Sequence, residues 1–340
     1  MPATLSDIAR HAGVSLATAS RVLNGSNRGV TPVLRDRVLL AARELEYVPN
    51  AHAQALVKAR SSMIGVIVHD VSDPYFSEIV RGIQRVVSDA GQLVMICNSY
   101  RDPARELEYL ALLRSQRVQA IVMAGSGLED AAYHQQFRNH IDSFVRAGGR
   151  AAFIGRHNIS GDAGIPDNRG GAREVARVLL SFGHRRIGVI SGPELITSTR
   201  DRLDGFVEGL CEAGITLPPH QIVTADFSRD GGEAATHILL DQAPDLTAIF
   251  ALNDTMAIGA LAALRARDRA VPECISLVGF DDIPMMRDLT PALSTVHVPM
   301  MALGARAIEM ALDEHHTTPR VEYLPTEMIL RASTALVHER

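Results

Sequence analysis

Lysine is nearly missing from this 340-residue chain, with Lys58 the only one. No function is read into that bias. Cysteine is also scarce. Cys97, Cys211 and Cys274 are far apart, odd in number and form no C-x-x-C, so they give no disulfide framework and read as buried thiols in a reducing cytoplasm. No apolar run reaches transmembrane length, and the first residues show no basic-then-apolar leader, so no membrane partner is expected. Catalytic signatures are missing too: there is no G-x-S-x-G, H-E-x-x-H or P-loop. Gly125-Ser126-Gly127 lacks the third glycine and the ribose-binding acid of a dinucleotide site. His315 and His316, with Asp313 and Glu314, fall in a polar, turn-like segment that reads as a solvated loop. The chain is therefore expected to be no enzyme, with no cofactor and no metal.

An excess of positive charge is lacking as well: the net charge is −5. Its distribution is uneven, however. Residues 1–60 hold eight arginines and lysines against four acids, which leaves the remainder at −9. A basic head on an acidic body favours docking to a polyanion by one end. With 46% apolar and 21% charged residues, the composition is globular and long enough for two or three domains.

The densest information lies in residues 5–24, LSDIARHAGVSLATASRVLN. They predict two short helices and a tight turn. Ser6 is the expected N-cap of the first, with Asp7 favourable to the helix dipole. Ile8, Ala9 and Ala12 form an apolar face, Gly13 supplies the left-handed stop, and Val14 plugs the turn. Ser15 caps a second helix running to about Asn24. Val14 and Val22 supply its core side. Leu16, Ala17, Thr18, Ser20 and Arg21 remain for the outer side, where a major-groove helix needs base contacts and hydroxyls near phosphates. Arg21 suits a bidentate contact to guanine, and Leu16 and Ala17 suit thymine methyls. Ser15 and Asn24, at the two ends, complete the expected DNA-binding set. The alternative is an ordinary helical hairpin with Leu16 in a core.

A third helix is expected from Thr31, as cap, to about Glu46, with Pro32 at its first position. Tyr47-Val48-Pro49 breaks it, and Asn50 can cap a further short helix, AHAQALVKA. From Met63 the pattern changes to apolar strands alternating with amphipathic helices. Strands are expected at 63–69, 93–98, 120–124, 151–155, 186–191, 247–252 and 275–280. Helices are expected at about 75–90, 103–116, 170–183, 200–213, 230–242 and 254–267. A strand at STVHV, a helix at about 300–313 and a strand near 321–331 follow. Apolar strands separated by helices imply parallel sheets covered on both faces. Two successive β-α sets imply two lobes, with a ligand cleft at the carboxyl ends of the strands.

In TLSDIARHAGVSLATASRVLN, YVPNAHAQALVKARS, IGVIVHDVSDPYFSEIVRGI, GHRRIGVISGP, AIFALNDTMAIGAL, VPECISLVGFDD and TPALSTVHVPMMALGARAI, the whole chain resembles the lactose/galactose repressor family of bacterial transcription regulators. The resemblance implies an all-α helix-turn-helix headpiece (1–49), a hinge helix and linker (50–61), and an α/β periplasmic-binding-protein-like core (62–340) of two doubly wound parallel-sheet lobes. The first lobe is expected at about 62–161 and 292–321, the second at about 162–291 and 322–340. It implies a homodimer on a pseudo-palindromic operator, with Asn50 among the DNA contacts, Ala53 allowing close hinge packing and Leu56 wedged into the central base step. It also places a small polar effector, a sugar or sugar derivative, among His69, Asp70, Tyr75, Phe76, Arg156, Ser198, Arg202, Phe227, Asn253 and Asp281. For Arg202 and Asp281 the structural alternative is an ion pair across the cleft. Ile196, where a purine-responsive relative has arginine, argues against a purine. The C-terminus lacks a leucine heptad, so no tetramerising tail is expected. The implied function is a ligand-controlled repressor in the cytoplasm, associated with the nucleoid. An activator or global regulator of the same architecture is the alternative, and a binding protein without regulatory role a remote one.

Overall fold

The computed structural model describes residues 3–24, 29–48, 61–313, 315–316 and 318–337. The chain forms two compact units, Met1–Met63 with Ser115–Gln119 and Ile64–Arg114 with Ala120–Arg340.

Among its described residues the small unit holds three helices: α1 (Leu5–His11), α2 (Leu16–Leu23) and α3 (Pro32–Glu44). The first cap is Thr4, not Ser6. Thr4 Oγ1 accepts from the Asp7 amide, and the Asp7 carboxylate takes the Thr4 amide in return, a reciprocal capping box. Ser15 and Thr31 cap α2 and α3 as expected. Gly13 has φ +61, the left-handed turn between α1 and α2. Ile8, Ala9, Ala12, Ala19, Val22, Val38 and Ala41 make the core, with Val14 packed against it. Arg37 of α3 donates to the Ala12 carbonyl and so closes the C-terminal end of α1.

The large unit contains two parallel sheets. The first has the order β11-β5-β4-β3-β1-β2, from β1 (Met63–Val68), β2 (Leu93–Asn98), β3 (Ala120–Ala124), β4 (Arg150–Ile154), β5 (Asp162–Pro166) and β11 (Val321–Leu324). The second has the order β7-β6-β8-β9, from β6 (Ile187–Ser191), β7 (Ile222–Thr224), β8 (Ala248–Ala251) and β9 (Ser276–Val278). A separate antiparallel pair, β10 (Thr295–His297) with β12 (Glu327–Ile329), runs beside the end of β9 through the Val278–Ser294 and Asp281–His297 bridges. The helices are α4 (Pro74–Asp89), α5 (Pro103–Ser115), α6 (Ala131–Arg146), α7 (Asn168–Ser181), α8 (Thr197–Cys211), α9 (Arg229–Gln242), α10 (Asp254–Ala266) and α11 (Met300–Leu312). The central strands β3, β6 and β8 are buried along their whole length, as strands covered on both faces must be. Helices α4 and α11 cross in near-backbone contact. A Cβ on Gly82 would stand 2.1 Å from the Met301 carbonyl oxygen, and one on Gly304 would stand 2.1 Å from that of Ile79.

Several expectations change. Helix α6 went unread because its buried residues, Tyr133, Phe137, Ile141 and Phe144, are diluted among polar ones. β5 was missed because DAGIP carries glycine and proline, which weaken strand signals. β7 is only three residues long. The late segment 321–331 divides into two strands serving different pairs. The expected lobe boundaries move accordingly. β5 and β11 both belong to the first sheet, so that sheet extends past residues 161 and 321, while β10 lies with the second sheet despite falling in 292–321. The cysteines are less buried than expected: Cys97 and Cys274 are half-buried and Cys211 is exposed. Among the described residues, no helix is long and apolar enough to cross a membrane.

Candidate functional sites

In the small unit, the outer side of α2 is open. Leu16 is 51% exposed, and Ala17 and Arg21 are also exposed, while Ala19 and Val22 are buried. This excludes the hairpin with Leu16 in a core. Ser15 Oγ accepts the Thr18 amide at 3.1 Å and meets Thr18 Oγ1 at 2.8 Å, which orders the first turn. Asn24 Nδ2 donates to Ser20 Oγ at 3.2 Å. An exposed leucine in the first turn and an exposed arginine in the last turn of a capped helix offer the side chains a major-groove reader needs. Asn50, Ala53 and Leu56, with the expected hinge, lie outside the described residues.

In the large unit, a cavity open to solvent lies where strands of both sheets end. Of the expected effector residues, it is lined by His69, Tyr75, Phe76, Ser198, Arg202, Phe227, Asn253 and Asp281. The local sequence explains their placement. His69 follows β1. Asp73 caps α4 by accepting the Tyr75 amide at 3.0 Å, which directs Tyr75 and Phe76 from the first turn. Asn253 caps α10, accepting the Met256 amide at 2.8 Å, and its Nδ2 holds the Phe227 carbonyl. Arg101, Phe227 and Asp281 all have positive φ, at 59°, 69° and 113°. Non-glycine residues held there cost about 1–3 kcal/mol each and concentrate at binding sites.

Arg202 and Asp281 form the second-lobe wall. Nη2 donates to Asp281 Oδ1 at 2.7 Å, Nε to Asn168 Oδ1 at 2.8 Å and Nη1 to the Leu252 carbonyl. The guanidinium also lies 3.8 Å from the Phe280 ring centroid. The pair does not span the cleft: α8, the end of β8 and the turn after β9 all belong to the second lobe. Burial pushes the Asp281 carboxyl up to about 7 although Arg202 pulls it down. Burial likewise raises the Tyr75 phenol and the Asp73 carboxyl.

Two expected contacts are not brought to the cavity. Asp70 turns into its own loop, accepting the Ser72 amide and hydroxyl at 2.9 and 2.8 Å. Arg156 is taken up by a clasp on the cleft rim. It holds Asp201 at 2.7 Å and Glu129 at 3.3 Å, and Glu129 also pairs with Arg200. The clasp joins first-lobe residues to α8. It is reinforced by the antiparallel Leu128–Ile196 bridge and by the Thr197 amide donating to the Gly127 carbonyl at 3.0 Å.

Sequence reasoning missed Asp73, Arg101, Gly125 and Ser126 in the lining, and read Ile196 only as an argument against a purine. Asp73 had a signal, an Asp-Pro helix start beside two aromatics. Arg101 had none. It lies 5.1 Å over the Phe227 ring, and among the described residues it forms no ion pair with a carboxylate.

A capped recognition helix and a two-lobed core enclosing a polar cleft define a ligand-responsive DNA-binding regulator. Comparison with known proteins agrees. Residues 4–50 match the model for bacterial regulatory proteins of the lacI family, and residues 176–334 match a periplasmic binding protein-like domain. The chain is 38% identical to the HTH-type transcriptional regulator GalS of Salmonella typhimurium, over 91% of this chain and 89% of that one. It is similar to the structure of the transcriptional regulator CelR–cellobiose complex, at 31% identity and a TM-score of 0.72, covering 97% and 99%. The lac repressor dimer bound to operator and the anti-inducer ONPF superposes with a TM-score of 0.84 at 27% identity, covering 98% and 100%. The chain belongs to the lacI family of bacterial transcription regulators and is not an enzyme.

Proposed function

We propose that this protein is a cytoplasmic, homodimeric repressor. It reads a pseudo-palindromic operator through Leu16, Ala17 and Arg21, and a neutral sugar or sugar derivative in the cleft controls its operator affinity. The cleft carries this reading. Two carboxylates, Asp73 and Asp281, and two guanidiniums, Arg101 and Arg202, share one cavity with Tyr75, Phe76 and Phe227. Formal charge balances, donors and acceptors are both present, and aromatic rings offer apolar faces. A hydroxyl donates and accepts at once, so a polyhydroxylated ring satisfies such a wall, whereas an anion meets Asp73 and Asp281. The cellobiose bound by the similar regulator is of this class. Asn50, Ala53 and Leu56 extend the reading to a minor-groove hinge.

The test is a selection of genomic duplexes by the purified protein, followed by anisotropy titration of the enriched duplex. D-galactose, D-ribose and cellobiose are then added, with thermal shift measured in parallel. Enrichment of a two-fold symmetric sequence is expected, and one sugar should raise the melting temperature by mass action and change duplex affinity about tenfold. Failure to enrich any duplex refutes the DNA half. No response to any sugar in either assay refutes the ligand half.

A further inference from the structure

Behind the first-lobe wall of the cavity runs a chain of polar side chains that the ligand contacts leave unexplained. Glu106 of α5 is 4% exposed. The Tyr133 hydroxyl, from α6, donates to its Oε2, and the Ser99 hydroxyl donates to its Oε1 at 3.1 Å. Burial raises the Glu106 carboxyl, and both hydroxyls act against that by favouring the carboxylate. A carboxylate only accepts, so the Ser99 proton points at Glu106 and the Ser99 lone pairs are left for the next member. That member is His69, whose Nδ1 lies 3.3 Å from Ser99 Oγ and 3.5 Å from Glu106 Oε1. With Glu106 ionised and Ser99 donating to it, both neighbours accept there, which puts the proton on Nδ1. Burial holds the ring neutral, its pKa pushed down to about 3. A neutral imidazole has one N–H, which leaves Nε2 a bare acceptor. His69 is 8% exposed, and its Nε2 is buried without a hydrogen-bond partner. It faces Gly125 of the lining, where a Cβ would stand 2.9 Å away.

We propose that Glu106, acting through Ser99, fixes His69 as the Nδ1–H tautomer, so that Nε2 demands a hydroxyl donor from the ligand in the cleft. Glu106 is then a positioning residue for specificity, and the ligand class rests on the sugar reading above. The competing arrangement puts the proton on Nε2, where the Ser126 backbone favours a protonated ring, and turns Ser99 to donate to Nδ1.

Nitrogen-15 spectra of histidine-labelled full-length protein at neutral pH distinguish the two without any ligand, with the His69 signals assigned by their loss in His69→Gln. An Nδ1–H pattern is expected, and an Nε2–H pattern overturns the proposal. In Glu106→Gln the amide oxygen accepts from Tyr133 and the amide nitrogen donates to Ser99. The chain reverses, and the proton should move to Nε2. Tyr133→Phe deletes a hydroxyl without reversing the chain and should leave the tautomer unchanged, which separates direction from packing. A wild-type tautomer retained in Glu106→Gln refutes the positioning role.

Specificity is read by calorimetry with D-galactose, D-ribose and cellobiose, then with deoxyfluoro analogues of whichever binds. Fluorine cannot donate, so one analogue should bind wild type about tenfold or more weakly than its parent. That loss should shrink in Glu106→Gln, and an equal loss in both proteins counts against an acceptor at Nε2. Binding of none of the three sugars defeats the sugar reading alone, because the tautomer is measured without ligand.

Discussion

Stranding one charge of the Arg202–Asp281 pair should cost more than its share of removing both. Each residue is 5% exposed and the charged atoms are 2.7 Å apart. At pH 8, above the folded value of the Asp281 carboxyl, both partners are charged, and in Asp281→Asn the guanidinium keeps the Asn168, Leu252 and Phe280 contacts but loses its counter-charge. Breaking a pair this deep costs about 3–5 kcal/mol, most of it the penalty of a buried unpaired ion. In Arg202→Met the carboxylate is stranded instead, and two hydrogen bonds to neutral groups are lost, each worth about 1 kcal/mol. The double variant leaves no ion behind. Its cost should therefore fall below the sum of the two singles by roughly 3 kcal/mol, the coupling expected of a charged pair in contact. The chain has no tryptophan, so urea unfolding is best followed by circular dichroism across the four proteins. Additive costs, or an Asp281→Asn cost below about 1 kcal/mol, the value of an exposed pair, would refute the claim that this wall is held by a buried charge pair.

The same carboxyl gives a pH dependence. Its folded value of about 7 stands above its ordinary 3.8, so the folded chain holds a proton that the unfolded chain releases. The stability this contributes is complete below about pH 4, falls by about 1.4 kcal/mol per pH unit toward pH 7 and is absent above that. Wild-type stability minus that of Asp281→Asn should decline across this window, and a flat or rising difference contradicts it. Arg21→Ala should lower operator affinity by about 1–3 kcal/mol and leave the melting temperature unchanged, because the side chain is exposed. Unchanged affinity removes α2 as the reader. Arg101→Ala should cost at most about 1 kcal/mol of stability, the scale of its stacking on Phe227. Its loss of donors should weaken sugar binding about tenfold, and undiminished binding would exclude Arg101 from ligand contact.

Residues 5–24 determine the reader on their own. Caps, a left-handed glycine and helical periodicity act over a few residues, so Ser15, Gly13 and the open side of α2 were legible, and only the first cap was misplaced, by two positions. The alternation of apolar strands and amphipathic helices likewise determined two parallel-sheet lobes. Sequence alone could not assign β5 and β11 to one sheet, since the two lie more than a hundred residues apart and the glycine and proline of DAGIP weaken its strand signal. Nor could it distinguish an arginine in the cleft from one on its rim. Arg101 and Arg156 both follow strands of the first sheet. Arg101 lies over Phe227, and Arg156 is drawn off by Asp201 and Glu129. Arg202 and Asp281 both fall in the segment expected for the second lobe, but only the folded chain brings them into contact. Local chemistry is written in short-range pattern, whereas the partner of a charge depends on which strand ends the sheets bring together, and that is a property of the tertiary fold.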